Sequence, residues 1–269
     1  MKVLIKLGGT LLDEAESRHR LAAEIASAVD QGLQAVVVHG GGKQMTRYLA
    51  GLGIESRFVN GLRVTTPEVL DAVIKILAGS VNRELVSAFI ACGAAAIGLS
   101  GMDALLTEAE QMSAELGWVG KPVRSNTGLL NSLLELQYLP VVACLAGNRQ
   151  GQFFNVNADQ MAVSVAGALH ADKLFFLTDV DGVRGENNVV YSTLNGDQCR
   201  QLINLGVATG GMQAKLQSAM EALETGISEV VIAPGAVPGI VEKLLQGESI
   251  GTRVVAQPPV LRAEMAHIE

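Results

Sequence analysis

Six short apolar runs recur along the chain, and each ends in glycine or a polar turn. They are residues 3–7 before Gly8-Gly9, 35–38 before His39-Gly40-Gly41-Gly42, 94–99 before Ser100-Gly101, 139–145 before Ala146-Gly147, 174–177 before Thr178-Asp179, and 230–233 before Pro234-Gly235. Runs without polar alternation fit strands buried on both faces of a mostly parallel sheet. Helical patterns lie between them. Leu21, Ile25 and Val29 recur every four residues ahead of Gly32; Leu85, Val86, Phe89 and Ile90 precede Gly93; residues 214–223 precede Gly226. Glycine just past the last periodic residue is a helix stop. The alternation predicts right-handed βαβ crossovers and an α/β fold, a three-layer α/β/α sandwich. Residues 60–66 and 183–193 interrupt it, the latter reading as a hairpin around Gly185-Glu186-Asn187-Asn188. No Ser/Gly-rich linker separates two halves. Two lobes, residues 1–170 and 171–269, would therefore share one continuous central sheet, with the change near 160–172.

Composition narrows the function. Glycine supplies 30 of 269 residues, above the average of about 7%, and it clusters instead of repeating every third position, which excludes a collagen-like chain. Aliphatic residues throughout exclude extended disorder. The net charge is −7 with no basic stripe, so a nucleic-acid partner is not expected. Cys92, Cys144 and Cys199 form no CxxC pair and read as buried thiols of a reducing cytosol. No signal-peptide layout and no run near 18 apolar residues is present, so a cytoplasmic protein without a membrane partner is expected.

Open parallel sheets bind ligands beyond the carboxyl ends of their strands, where the glycine clusters fall. Lys6 sits inside an apolar strand before Gly8-Gly9; its ammonium must reach a cleft or a partner, or snorkel from an edge. Strand 36–38, Gly40-Gly41-Gly42 and a helix start form an anion site of unhindered N–H groups. Lys43 directly after Gly42 breaks the Walker A spacing, and no GxGxxG follows a strand. Arg63 in the 60–65 excursion could hold a carboxylate, although the residues alone read it as a surface arginine. Asn157 is a fitting N-cap, and Asp159 either supports that cap or orients the cations Lys6 and Lys215. The 178–183 turn lacks EF-hand spacing and fits a nucleotide seat better. Thr209-Gly210-Gly211 opens another helix, with Lys215 in its first turns. The four histidines show no metal or triad spacing.

In this order, KLGGT, VHGGGKQ, FVNGLRVTT, LAGSVNRELV, GLSGMDALL, ELGWVGKP, LPVVACLAG, NVNADQMA, LTDVDGV and TGGMQAK, spread over about residues 2–255, make the chain resemble the amino acid kinase superfamily. KLGG and DVDGV occur across that superfamily. NGLRVT, ELGxVG and NVNADQ are narrower and point to N-acetyl-L-glutamate as substrate.

The resemblance implies ATP-dependent phosphorylation of that acid's γ-carboxylate, the second step of arginine biosynthesis. It implies that Lys6 and Lys215 neutralise the transferring phosphoryl group and that Asp159 holds both lysines. Gly8, Gly9, Gly41 and Gly42 would donate N–H groups, and Arg63 and Asn155 would grip the α-carboxylate end. Asp179, Val180, Asp181, Gly182, Val183 and Arg184, with Thr209, Gly210, Gly211 and Met212, would line the ATP site in the second lobe. The first lobe would hold the amino acid and most of a homodimer contact. Mg²⁺ would ride on the ATP phosphates, with no metal site on the protein. Ala214 stands where many relatives carry proline, a tolerable change at a helix entry. Arginine-inhibited relatives carry an extra N-terminal helix that builds hexamers; with a first strand beginning at Lys2, an arginine-insensitive dimer is expected. Two alternatives stay open: the same chemistry on another N-blocked acid, such as N-succinylglutamate or carrier-linked aminoadipate, and a non-catalytic nucleotide-binding protein.

Overall fold

A computed structural model describes residues 1–185 and 188–256. The strands, in chain order, are β1 (Lys2–Leu7), β2 (Gln34–His39), β3 (Phe58–Val59), β4 (Leu62–Arg63), β5 (Ala96–Ser100), β6 (Thr107–Gln111), β7 (Val119–Ser125), β8 (Leu139–Ala143), β9 (Leu145–Gly147), β10 (Phe153–Val156), β11 (Lys173–Thr178), β12 (Thr193–Asn195), β13 (Glu229–Pro234) and β14 (Thr252–Val255). The helices are α1 (Ala15–Asp30), α2 (Gly42–Gly51), α3 (Pro67–Val73), α4 (Asn82–Ala91), α5 (Gly128–Glu135), α6 (Ala158–Leu169), α7 (Gly196–Asn204), α8 (Gly210–Glu224) and α9 (Ile240–Leu245), with a π-helical stretch over Ile74–Val81.

Eight strands form one sheet in the order β12-β14-β13-β11-β1-β2-β8-β5. Its pairings are parallel except between β13 and β14. Each of the six apolar runs enters this sheet; five are buried along nearly their whole length, whereas β5 at the sheet edge is only partly buried over residues 96–99. Alternate residues feed opposite cores: Val3, Ile5 and Leu7 pack with α1 and α4, whereas Leu4 packs with residues of α6 and α8. Residues before 170 supply β1, β2, β5 and β8, and those after it supply β11 to β14, so the sheet is continuous across the chain's two portions. Gly32, Gly93 and Gly226 follow α1, α4 and α8 with positive φ, as the stop signals require.

The fold departs from expectation in three places: the 139–145 run, the small barrel and Cys92. The run 139–145 is not one strand: the sheet strand ends at Ala143, and the chain turns at Cys144 into β9. There β9 joins β6, β7 and β10 in a small closed barrel absent from the sequence reading. The expected hairpin in 183–193 is present as a short one: Arg184 bridges Val190 in antiparallel fashion, the Gly185 N–H donates to Val189 O and the Tyr191 N–H to Val183 O, both at 2.9 Å, with Glu186 and Asn187 outside the described residues. Cys144 and Cys199 are buried, but Cys92 is partly exposed at the end of α4. Among the described residues no helix is long and apolar enough to cross a membrane.

Candidate active site

The β1 alternation puts Lys6 on the Leu4 face, toward the layer that contains α6. Its ammonium stands 2.8 Å from Asp159 Oδ1, and Lys215 Nζ donates to Asp159 Oδ2 at 3.1 Å. Side-chain exposure is 9% for Lys6, 8% for Asp159 and 17% for Lys215, so all three sit in a largely dry place. The Lys6 contact is a close ion pair in the wall of the larger cavity. Asp159 is presented by the cap of α6: Asn157 Oδ1 accepts from the Asp159 N–H at 2.9 Å and the Gln160 N–H at 3.2 Å. Burial alone would raise the Asp159 carboxyl, but the charges of Lys6 and Lys215 outweigh it and hold the group below its ordinary value.

Of two adjoining cavities, the larger opens on this cluster. A cavity of about 570 Å³ is lined by Lys6, Asp159, Lys215, Gly210, Gly211 and Asn60, among others. A smaller one of about 190 Å³ is lined by Gly40, Gly41, Gly42, Arg63, Asn155 and Cys144, among others. Gly61, Leu62, Asn157 and Ala158 border both. The first residues of α2, α6 and α8, namely Gly42, Ala158 and Gly210, lie on these walls. Helix N-termini offer unpaired N–H groups and a positive dipole end to an anion. Gly210 has φ +54°, a left-handed entry to α8 that disfavours a side chain.

Arg63 lies at the end of the β3–β4 hairpin and is half-buried instead of a free surface arginine. Its guanidinium donates to Thr46 Oγ1 at 2.8 Å and to Ser56 Oγ, and stacks 4.7 Å over the Phe58 ring. Burial lowers its pKa from the ordinary value. Asn155 on β10 donates through Nδ2 to Thr65 Oγ1 at 3.0 Å. Gly8 departs from expectation: its N–H donates to Leu177 O at 2.8 Å and is committed to the join between β1 and β11. Gly9 begins the short 3-10 turn Gly9–Leu12 that leads on to α1.

The second-portion residues divide. Burial would raise Asp179, but its own amide, Thr178 and Thr10, together with the Lys215 charge, hold it below the carboxylate range; it feels Lys215 without lining either cavity. Val180, Asp181, Gly182, Val183 and Arg184 line neither cavity. Asp181 pairs with Arg184, and the Val183 N–H donates to Thr252 Oγ1 at 2.8 Å. Thr209 is the N-cap of α8, and Met212 packs against the core below it. Leu77 and Val73, which line the smaller cavity, carry no local sequence signal, because α3 and the π-helical stretch bring them there. Among the described residues no three His, Cys, Asp or Glu side chains group so as to hold a metal.

His39, at the end of β2, is fully buried and its pKa is lowered from 6.5 to about 4. Burial is the main cause; the Gly40 carbonyl contact opposes it and the Arg83 charge adds to it. The unfolded chain therefore binds the extra proton first. This contribution to stability is complete above pH 6.5 and falls away as pH drops toward about 4, by about 3 kcal/mol. Urea melts at pH 7 and pH 4 should show the gap between wild type and His39→Asn shrinking by that amount; a gap independent of pH would contradict it.

An open, mostly parallel α/β sheet whose crest gathers two lysines, a buried carboxylate and three helix N-termini defines a protein of the phosphate-handling class. The model of the amino acid kinase family matches residues 1–234, and the chain belongs to that family. An acetylglutamate kinase of Solibacter usitatus is 58% identical over 255 residues, 95% of this chain and 99% of that protein. An acetylglutamate kinase of Acidobacterium capsulatum is 40% identical, covering 95% of this chain and all of that one. A solved protein of Streptococcus mutans UA159 superposes with a TM-score of 0.82 at 28% identity, covering 95% of this chain and 98% of the other.

Proposed function

We propose that this chain transfers the γ-phosphoryl group of ATP to the γ-carboxylate of N-acetyl-L-glutamate, giving N-acetyl-L-glutamyl 5-phosphate, in the second step of arginine biosynthesis. The observation that carries the reading is the Lys6–Asp159–Lys215 cluster on the wall of the larger of two adjoining cavities, in a chain 58% identical to an acetylglutamate kinase. A carboxylate oxygen attacks the γ-phosphorus, the bond to the bridging oxygen breaks, and ADP leaves with the electron pair. No proton moves, so no general base is needed. What the reaction demands is alignment and stabilisation of charge on the transferred group.

The smaller cavity takes the acid, with Arg63 and Asn155 toward its α-carboxylate end and Gly41 and Gly42 toward the reacting end. The larger takes the phosphates, with Lys6 and Lys215 on the transferred group and Asp159 holding both. Gly210 and Gly211 present the start of α8 to the polyphosphate. A further cavity of about 450 Å³ is lined by Gly185, Tyr191, Leu202 and Val207 among others, and among the described residues no charged side chain lines it. It borders the 179–184 turn and residues 209–212 in sequence and suits a purine base. Mg²⁺ would be held by the ATP phosphates, where it supplies further charge neutralisation. Residues 1–170 then form the acid and dimerisation lobe and 171–269 the ATP lobe of a cytoplasmic homodimer.

The test is a hydroxamate assay. With ATP, Mg²⁺ and N-acetyl-L-glutamate, hydroxylamine should trap the acyl phosphate, and the active species should sediment as a dimer. No hydroxamate with this acid, or faster turnover of N-succinylglutamate, would sink the substrate assignment.

A further inference from the structure

Beneath the glycine loop lies a buried polar pair that the transfer step above does not use. His39 and Asn82 are both fully buried, and His39 Nε2 stands 2.9 Å from Asn82 Nδ2. The orientation of the Asn82 amide follows from its second contact: Nδ2 also lies 2.9 Å from the carbonyl of Val141, and a carbonyl only accepts. The NH₂ group therefore points at both partners, and Nε2 of His39 must carry the lone pair. The ring proton is then on Nδ1, which donates to the Gly40 carbonyl at 3.0 Å. Both nitrogens are satisfied by a neutral ring, the form that full burial also favours.

The Gly40 carbonyl and the Gly41 N–H are opposite edges of one trans peptide. Holding the carbonyl on His39 turns the Gly41 N–H away from it, in a loop whose three glycines line the smaller cavity. The loop is braced from a second side. A Cβ on Gly41 would meet Leu77 Cδ2 at 2.5 Å and Val81 Cγ2 at 3.1 Å. Both residues belong to the π-helical stretch Ile74–Val81, and Asn82 follows it directly. The wide π turn therefore brings two methyl groups against the loop and seats the amide that locks His39. Short π segments are rare in helices and are found disproportionately at functional sites.

We propose that His39, held as its Nδ1–H tautomer by Asn82, is a positioning residue for phosphoryl transfer: it sets the Gly40–Gly41 peptide so that the loop N–H groups face the reacting end of the acid. The role rests on the function proposed above.

Steady-state kinetics of the full chain with two variants tests it. His39→Asn keeps an N–H donor near the Nδ1 place, whereas His39→Leu has none. His39→Leu should lose about tenfold or more in kcat with KM for ATP within about twofold, and His39→Asn should recover to within about threefold of wild type. A folded His39→Leu protein within twofold of wild type, or equal losses in the two variants, overturns the role. Should His39→Leu fail to fold, long-range proton–nitrogen spectra of wild type decide. They should show a histidine with Nδ1 protonated and Nε2 bare, a signal missing from His39→Asn; an Nε2–H or doubly protonated ring at pH 7 overturns it. Wild type silent in the hydroxamate assay rejects the function itself, whereas active wild type with unaffected variants rejects only the positioning role.

Discussion

Lys6→Ala is expected to lower kcat for acyl phosphate formation by about a thousandfold while the chain stays folded. The transferred phosphoryl group spreads negative charge over its oxygens as it passes between two anions, and the protein must supply compensating charge that is already in place. In the proposed mechanism Lys6 does so from inside the sheet. Its stem is buried on the Leu4 face of β1, its ammonium stands 2.8 Å from Asp159, and only 9% of the side chain meets solvent. Water cannot replace such a charge after truncation. The fold should survive, because Asp159 keeps Lys215 at 3.1 Å and is not left as an unpaired buried anion. Lys215→Ala should fall in the same class, and the double variant should lose less than the product of the single losses, since both lysines act through one carboxylate. Lys6→Arg should not rescue, because a planar guanidinium is not a substitute for a compact ammonium in a packed strand. Initial rates with saturating ATP, alongside near-ultraviolet circular dichroism, provide the check. Rates within tenfold of wild type in both alanine variants would remove the lysines from the mechanism.

Asp159→Asn should damage stability and activity together. The carboxylate is the counter-ion for two largely buried ammonium groups, and an uncharged amide leaves them facing each other. Removing one partner from a buried charge cluster costs about 3–5 kcal/mol, which for a chain of this size is a fall of about 10 °C in Tm. Activity should drop by at least about a hundredfold, because the repelled lysines leave their aligned positions. The acid side of the stability profile carries its own signature. The Asp159 carboxyl is held below its ordinary value by Lys6 and Lys215, so its contribution is present above the unfolded carboxyl value and is lost as pH falls through the lower folded value. The difference in Tm between wild type and Asp159→Asn should therefore be large at neutral pH and close in strong acid. Equal melting temperatures at pH 7 would show that the cluster does not hold the lysines.

Much of the sheet was legible because burial on both faces leaves a mark that pairing cannot hide. Residues such as Val36, Val37 and Val38 must all be apolar when one core takes Val37 and the other takes Val36 and Val38. The barrel was not legible. β6 reads Thr-Glu-Ala-Glu-Gln and buries only Thr107 and Ala109, so its apolar content resembles that of a loop. The break at Cys144 was invisible for the opposite reason, since Ala143, Cys144 and Leu145 are all buried and no polarity change marks where the chain leaves the sheet. At the site, glycine and lysine spacing picked out residues that line the two cavities, among them Lys6, Gly41, Gly210 and Lys215. The same spacing could not separate Gly41, which lines the smaller cavity, from Gly8, whose N–H is already taken by Leu177.

By itself the sequence determined local periods: the six apolar runs of the central sheet, the helices over 21–29, 85–90 and 214–223, and the glycines that end those helices. Those properties depend on near neighbours along the chain. Only the tertiary structure decided that Lys6 and Lys215 share Asp159, that Arg63 lines the smaller cavity, and that a π turn places Asn82 on His39. These contacts join residues far apart in the chain, and their partners were chosen by how the layers pack, a choice no local pattern of residue types encodes.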